Sequence, residues 1–119
     1  MIIINNNDIN KLSDLFQLLA EKNRLKIIFA LEDKALSVSE ITKITTLSQP
    51  LLSFHLKALN EAALIEKYRE SSFVFNKLSD KNLLFLIKSF VNFTDQKSRA
   101  EENSSDFNFP FPPSFPPWK

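Results

Sequence analysis

The sequence predicts a mostly α-helical domain that carries one small β-hairpin and ends in a Pro/Phe-rich tail. Three observations predict it. Apolar residues recur at three- and four-residue spacing in separate segments up to Phe93, the pattern of helices with a buried face. Helix-start chemistry recurs, with Ser37 three residues before Glu40 and Ser48 just ahead of Pro50. After Ala63 the period changes to two, through Leu64 to Leu78, as paired strands require.

The first helix follows the polar stop Asn5-Asn6-Asn7-Asp8, with Asn7 or Asp8 as cap, and runs to about Ala20. Ile9, Leu12, Leu15, Phe16 and Leu19 form its apolar side, which packs either in the core or on a second subunit. Glu21 to Leu31 is the second helix, with Leu25, Ile28, Phe29 and Leu31 inward and Lys22, Arg24 and Lys26 outward. Ser37-Val38-Ser39-Glu40 fits a capping box and opens a short third helix through Thr45, burying Ile41 and Ile44.

Thr45-Thr46-Leu47 is a turn, and the fourth helix covers Ser48 to Leu59. At about 100° per residue, Leu51, Leu52, His55, Leu56, Leu59, Ala62 and Ala63 share one side. Gln49, Ser53, Lys57 and Asn60 share the other, flanked by Pro50 and Phe54. Two short helices joined by such a turn make a helix-turn-helix pattern, and the polar side suits a helix laid into a DNA major groove.

Ile65, Lys67 and Arg69 alternate with Leu64, Glu66, Tyr68 and Glu70. Ser71-Ser72 then breaks the run before Phe73-Val74-Phe75-Asn76-Lys77-Leu78. This is a hairpin directly after the recognition helix, a wing. Ser79 is the expected cap of a last helix from Asp80 to Phe93, whose apolar residues cover most of its circumference and therefore call for burial on nearly all sides, either against a second chain or as a solitary core helix. The expected domain is 1–93, followed by a polar linker and tail over 94–119. In the tail, Asp106 to Lys119 is rich in Pro and Phe and favours polyproline conformation. It either stays mobile, packs on the protein's own surface or engages a partner.

Composition narrows the function. With 119 residues the chain has room for a modest core. A net charge of +1 means that nucleic-acid binding has to rest on where cations sit. Cysteine is absent, which excludes disulfides and thiolate metal sites, and one histidine is too few for the usual nitrogen-ligated metal sites. No metal site and no cofactor is expected. Glycine is also absent, so no glycine-rich phosphate loop exists, and no nucleophile–base pair or paired carboxylates point to an enzyme. No apolar run reaches the roughly 18 residues of a membrane span, and no signal peptide is visible. The expectation is a cytoplasmic protein with no membrane partner.

The wording of the chain resembles the ArsR/SmtB family of winged-helix repressors over residues 9 to 93. Leu18-Leu19-Ala20 with Arg24-Leu25-Lys26-Ile27-Ile28 is similar to the family's "L-A-x-x-x-R-L-x-I-L" phrase. Ser48-Gln49-Pro50 through His55-Leu56-Lys57-Ala58-Leu59 is similar to its recognition helix, "S-Q-x-x-x-S-x-H-L-x-x-L", and Glu61-Ala62-Ala63-Leu64-Ile65 to "E-A-G-L-V". The resemblance implies a homodimer built on the first and last helices that occupies an inverted repeat in double-stranded DNA and is released by an inducer. Ser37 and Ser39 stand where the family's arsenic and cadmium sensors carry Cys-Val-Cys, and the last helix offers Asp80 without histidine. Hydroxyls do not replace thiolates for soft metals, so the known metal sites are missing and the inducer is unknown. Ala63 and Ser71-Ser72 replace the usual glycines.

The expected DNA-binding residues are Ser48, Gln49, Pro50, Ser53, Phe54, Lys57, Lys67 and Arg69. Gln49 and Ser53 meet base edges; Lys57 and Lys67 meet phosphates, with Lys77 in addition; Arg69 reaches phosphates or the minor groove; Ser48 caps and donates. Phe54 either touches a thymine methyl or packs on the turn. His55 is expected to be structural. The expected dimer interface is Leu12, Leu15, Leu84, Ile87, Phe90 and Val91. The competing reading is a winged-helix protein–protein module that does not bind DNA, favoured by the near-neutral charge and the tail.

Overall fold

The computed structural model describes residues 3–103, and the Pro/Phe-rich stretch from Asp106 lies outside the described residues. Within the described residues the order is α1 (Asn6–Leu19), α2 (Lys22–Leu31), α3 (Val38–Thr45), α4 (Gln49–Glu61), β1 (Ile65–Glu70), β2 (Phe73–Leu78) and α5 (Asn82–Asn103). This is the mostly helical, winged helix-turn-helix architecture that the sequence predicts. The chain divides after Leu84 into two compact units.

Caps set the helix boundaries. In α1 the cap is Asn5 rather than Asn7 or Asp8. Asn5 Oδ1 accepts from Asp8 N at 2.9 Å and Asp8 Oδ2 from Asn5 N at 3.2 Å, a reciprocal box that starts the helix earlier. Glu21 does not begin α2 but caps it, accepting from Arg24 N at 3.0 Å. Ser37 and Glu40 form the expected box on α3. The Glu40 carboxyl is held below the usual carboxylate range, chiefly by the Ser37 backbone N–H. The box is therefore complete above that range and is lost as pH falls through the lowered value.

The core of the first unit is built from Ile27, Ile28 and Leu31 of α2, Ile41 of α3, Leu52, Leu56 and Leu59 of α4, and Ile65 and Leu78 of the hairpin. On α2 and α3, two expected core residues turn outward: Phe29 is 39% and Ile44 56% exposed. Ile27, four residues before Leu31, and Thr45, four residues after Ile41, are buried instead. Leu36 pairs with Asn76 through backbone bonds of 2.8 and 2.7 Å, fastening the segment before α3 to β2. Asn76 is 1% exposed, and its side-chain amide has no partner among the described residues.

The last helix departs most from expectation. Ser79 does not cap it; Asp80 Oδ1 accepts from Asn82 N at 2.9 Å, and the helix begins at Asn82. It continues to Asn103, so the expected linker over 94–103 is helical and the boundary at Phe93 falls inside α5. Polar residues carry a helix as well as apolar ones when no Pro or Gly interrupts them, and none occurs between Asn82 and Asn103.

With no glycine, the joints between elements fall to other residues. Glu32, Thr46, Ala63 and Ser71 have φ of 45°, 60°, 62° and 59°. The left-handed region costs a residue with a Cβ roughly 1–2 kcal/mol, and β-branched Thr46 is the least suited. Thr46→Gly and Ala63→Gly are each expected to raise unfolding free energy by about 0.5–1 kcal/mol in urea titrations, since glycine's greater unfolded-state freedom offsets part of the gain. Ala30→Gly, inside α2, is expected to lower it by about 1 kcal/mol.

Candidate nucleic-acid interface

The turn between α3 and α4 positions the candidate reading surface. Thr45 Oγ1 donates to Ile41 O at 2.7 Å and accepts from Leu47 N at 3.4 Å, holding the end of α3 and the start of the turn together. Thr46 takes the left-handed conformation that ends α3. Ser48 Oγ then accepts from Leu51 N at 3.4 Å, and Pro50 lies in the first turn of α4, where its missing N–H removes no helical bond.

Helix α4 is two-sided. Leu52, His55, Leu56 and Leu59 are buried. Gln49, Pro50, Ser53, Phe54 and Lys57 are exposed, as is Ser48 ahead of the helix. Gln49, Ser53 and Lys57 recur at i, i+4 and i+8, one line about 12 Å long. Leu51, Ala62 and Ala63, expected inside, are exposed: Leu51 lies at the rim, and the helix ends at Glu61, so the two alanines fall beyond its last turn. Asn60, expected on the polar side, is half-buried and donates from Nδ2 to Ile65 O at 3.4 Å, tying α4 to β1.

A polar network beneath this line escapes sequence reasoning. His55 is 4% exposed. Arg24, expected outside, is half-buried; its Nε donates to His55 Nδ1 at 3.3 Å and its Nη1 to Leu18 O at 3.3 Å. Nδ1 accepts, so the proton of the neutral ring lies on Nε2, which faces Glu21 Oε2 at 3.6 Å. The convergence of Arg24 and His55 from positions 31 residues apart had no local signature. The Phe54 ring is 62% exposed and meets His55 edge-on at 5.2 Å.

The wing pairs Ile65 with Leu78, Lys67 with Asn76 and Arg69 with Val74 on one face; Glu66 with Lys77, Tyr68 with Phe75 and Glu70 with Phe73 occupy the other. Lys67 and Arg69 thus share a face, both exposed, and neither makes an ion pair among the described residues. Glu70, next to Arg69 in sequence, points away from it. Lys77 is held by Glu66 at 3.8 Å and lies over the Tyr68 ring at 5.5 Å, so it is engaged on the opposite face from Lys67 and Arg69. Tyr68 stacks on Phe75 at 5.7 Å with Phe73 beside them, an aromatic surface that alternation alone did not single out.

The residues expected at a dimer contact divide. On α1, Leu12 is exposed and Leu15 half-buried, while Ile9 and Phe16 add exposed apolar surface. On α5, Leu84 and Ile87 are buried within the chain and offer little area; Phe90 and Val91 are exposed, with Phe85, Leu86 and Phe93. Among the described residues no three His, Asp or Glu side chains converge to hold a metal ion, and no helix is long and apolar enough to cross a membrane. Arg24→Ala is expected to lower unfolding free energy by about 1–3 kcal/mol in urea titrations, because the His55 ring and the Leu18 carbonyl lose their donor in a half-buried place.

A model of the arsR family of bacterial regulatory proteins matches residues 21–67. The transcriptional activator HlyU of Vibrio cholerae is 35% identical over 74 residues, covering 62% of this chain and 68% of its own. A solved structure of that protein superposes with a TM-score of 0.65 over 73% of this chain and 97% of its own. The cadmium resistance transcriptional regulatory protein CadC of Listeria innocua is 29% identical over 92 residues, 76% of this chain and 77% of its own. A homodimeric winged helix-turn-helix DNA-binding domain from Mycobacterium bovis, 20% identical over 81% of this chain and 92% of its own, shares the fold with a TM-score of 0.67. The chain belongs to the arsR family of bacterial regulatory proteins.

Proposed function

We propose that the protein is a dimeric, DNA-binding transcriptional repressor that acts in the cytoplasm by occupying an inverted repeat. The observation that carries this is α4: Gln49, Ser53 and Lys57 form an exposed polar line while the opposite side is buried and tied to α2. Gln49 and Ser53 read base edges, Gln49 with the geometry for adenine. Lys57, Lys67 and Arg69 neutralise phosphates, and the N-terminal turn of α4, with Ser48 and Pro50, approaches the backbone. Phe54 stands at the edge of this surface, free to meet a thymine methyl. Membership in a family of transcriptional regulators supports this reading over a protein-interaction module or an enzyme.

Two-fold symmetry would present two copies of α4 to successive major grooves, which is why the site is expected to be an inverted repeat. The exposed apolar residues of α1, and separately those of α5, supply the dimer contact, with Leu12, Leu15, Phe90 and Val91 as its members and Leu84 and Ile87 supporting from beneath. Metal sensing through thiolates has no place here, since Ser37 and Ser39 carry hydroxyls on α3 and its cap.

Selection of bound DNA from a random pool is expected to return an inverted repeat. Gln49→Ala/Ser53→Ala is expected to weaken binding to it at least about tenfold and to flatten base preference. Lys57→Ala is expected to weaken all sequences alike and to lower the salt slope by about one. Unchanged affinity and preference in the double variant would remove α4 from the reading role. Phe90→Asp and Leu12→Asp are each expected to shift sedimentation from dimer towards monomer, while the surface variant Lys81→Asp leaves it unchanged.

A further inference from the structure

The outward sides of α2 and α3 enclose an open groove of about 550 Å³ lined by Lys22, Leu25, Lys26, Phe29, Ile44 and Thr45. Its size falls within the roughly 300–1,000 Å³ of small-molecule sites. Its chemistry is unusually simple. Leu25 and Phe29, one turn apart on α2, face Ile44 of α3, and Phe29 and Ile44 are both exposed. The Thr45 hydroxyl is already spent on Ile41 O. Lys22 and Lys26, also one turn apart, are exposed, and neither makes an ion pair among the described residues. The nearest carboxylate in sequence, Glu21, is turned to Arg24 N and His55. No acidic side chain lines the groove.

Two ammonium groups over an apolar floor with no other open polar group match one kind of occupant: an anionic head on an apolar body. We propose that this groove binds small amphipathic carboxylates. The head sits between Lys22 and Lys26, and the chain lies along Leu25, Phe29 and Ile44. Such a site lies apart from the polar line of α4, and its occupancy is measured on the protein alone, so its failure leaves the DNA-binding reading untouched.

The test is a titration of the full chain with octanoate, 1-octanol and octylamine, followed by NMR with assigned methyl and aromatic resonances. Octanoate is expected to bind roughly tenfold more tightly than octanol, as two partly exposed ammonium groups support, and octylamine more weakly than either. The largest shifts are expected at Leu25, Phe29 and Ile44. Lys22→Gln/Lys26→Gln, checked for unchanged circular dichroism, is expected to bring octanoate down to the affinity of octanol. Equal affinity for all three probes, shifts centred on α1 or α5, or a double variant that binds octanoate as well as the parent would overturn the proposal.

Discussion

The Arg24 guanidinium holds the end of α1, the start of α2 and the middle of α4 in one arrangement. It donates to the Leu18 carbonyl and to the buried His55 ring while its own backbone N–H is capped by Glu21. A helix packed only by leucines tolerates some rotation about its axis. A hydrogen bond to one ring nitrogen tolerates far less, because it weakens steeply with angle. With His55 pinned inward, Ser53 and Lys57, two residues to either side, are turned about 160° away. The outward aim of the polar line is therefore a consequence of a contact on the opposite side of the helix. The bond also requires the neutral ring, since an imidazolium has no acceptor to offer.

Much of this was legible in the chain, for physical reasons that differ by element. The box at Ser37 and Glu40 and the cap at Ser48 are local chemistry, complete within four residues, so sequence suffices to place them. The hairpin turn at Ser71-Ser72 was legible without glycine because the period-two runs on either side define it. The exposed Gln49, Ser53 and Lys57 followed from helical geometry alone. What was not legible depended on distance or on degeneracy. The role of Arg24 needs His55, far along the chain. Asn76 looked like one polar residue in an alternating strand, yet it falls on the wing face that carries buried Ile65 and Leu78 and is buried there with them. The end of α5 was missed because a polar helix and a polar linker share a composition, and only the absence of breakers separates them.

The two faces of the wing divide charge from aromatic surface. Strand alternation puts Lys67 and Arg69 together and sends Glu66, Glu70 and Tyr68 to the other side. In a chain with a net charge of +1, this sorting matters more than the sum. A cationic edge survives because its neighbouring carboxylates are consumed or turned away, Glu66 by Lys77 and Glu70 by its position opposite Phe73. The same economy operates at α2, where Glu21 is committed to Arg24 and His55, leaving Lys22 and Lys26 uncompensated.

The joints at Glu32, Ala63 and Ser71 have an evolutionary corollary. Alanine and glutamate codons become glycine codons through a single base change, as do two of the serine codons. Each such step relaxes a positive φ while leaving the surrounding helix and strand sequences intact. A protein with such relief still available holds a reserve: a lineage that acquires a destabilising change on α4 can recover folding at a joint outside that helix. Tolerance of substitution elsewhere is then stored in the glycine-free connections.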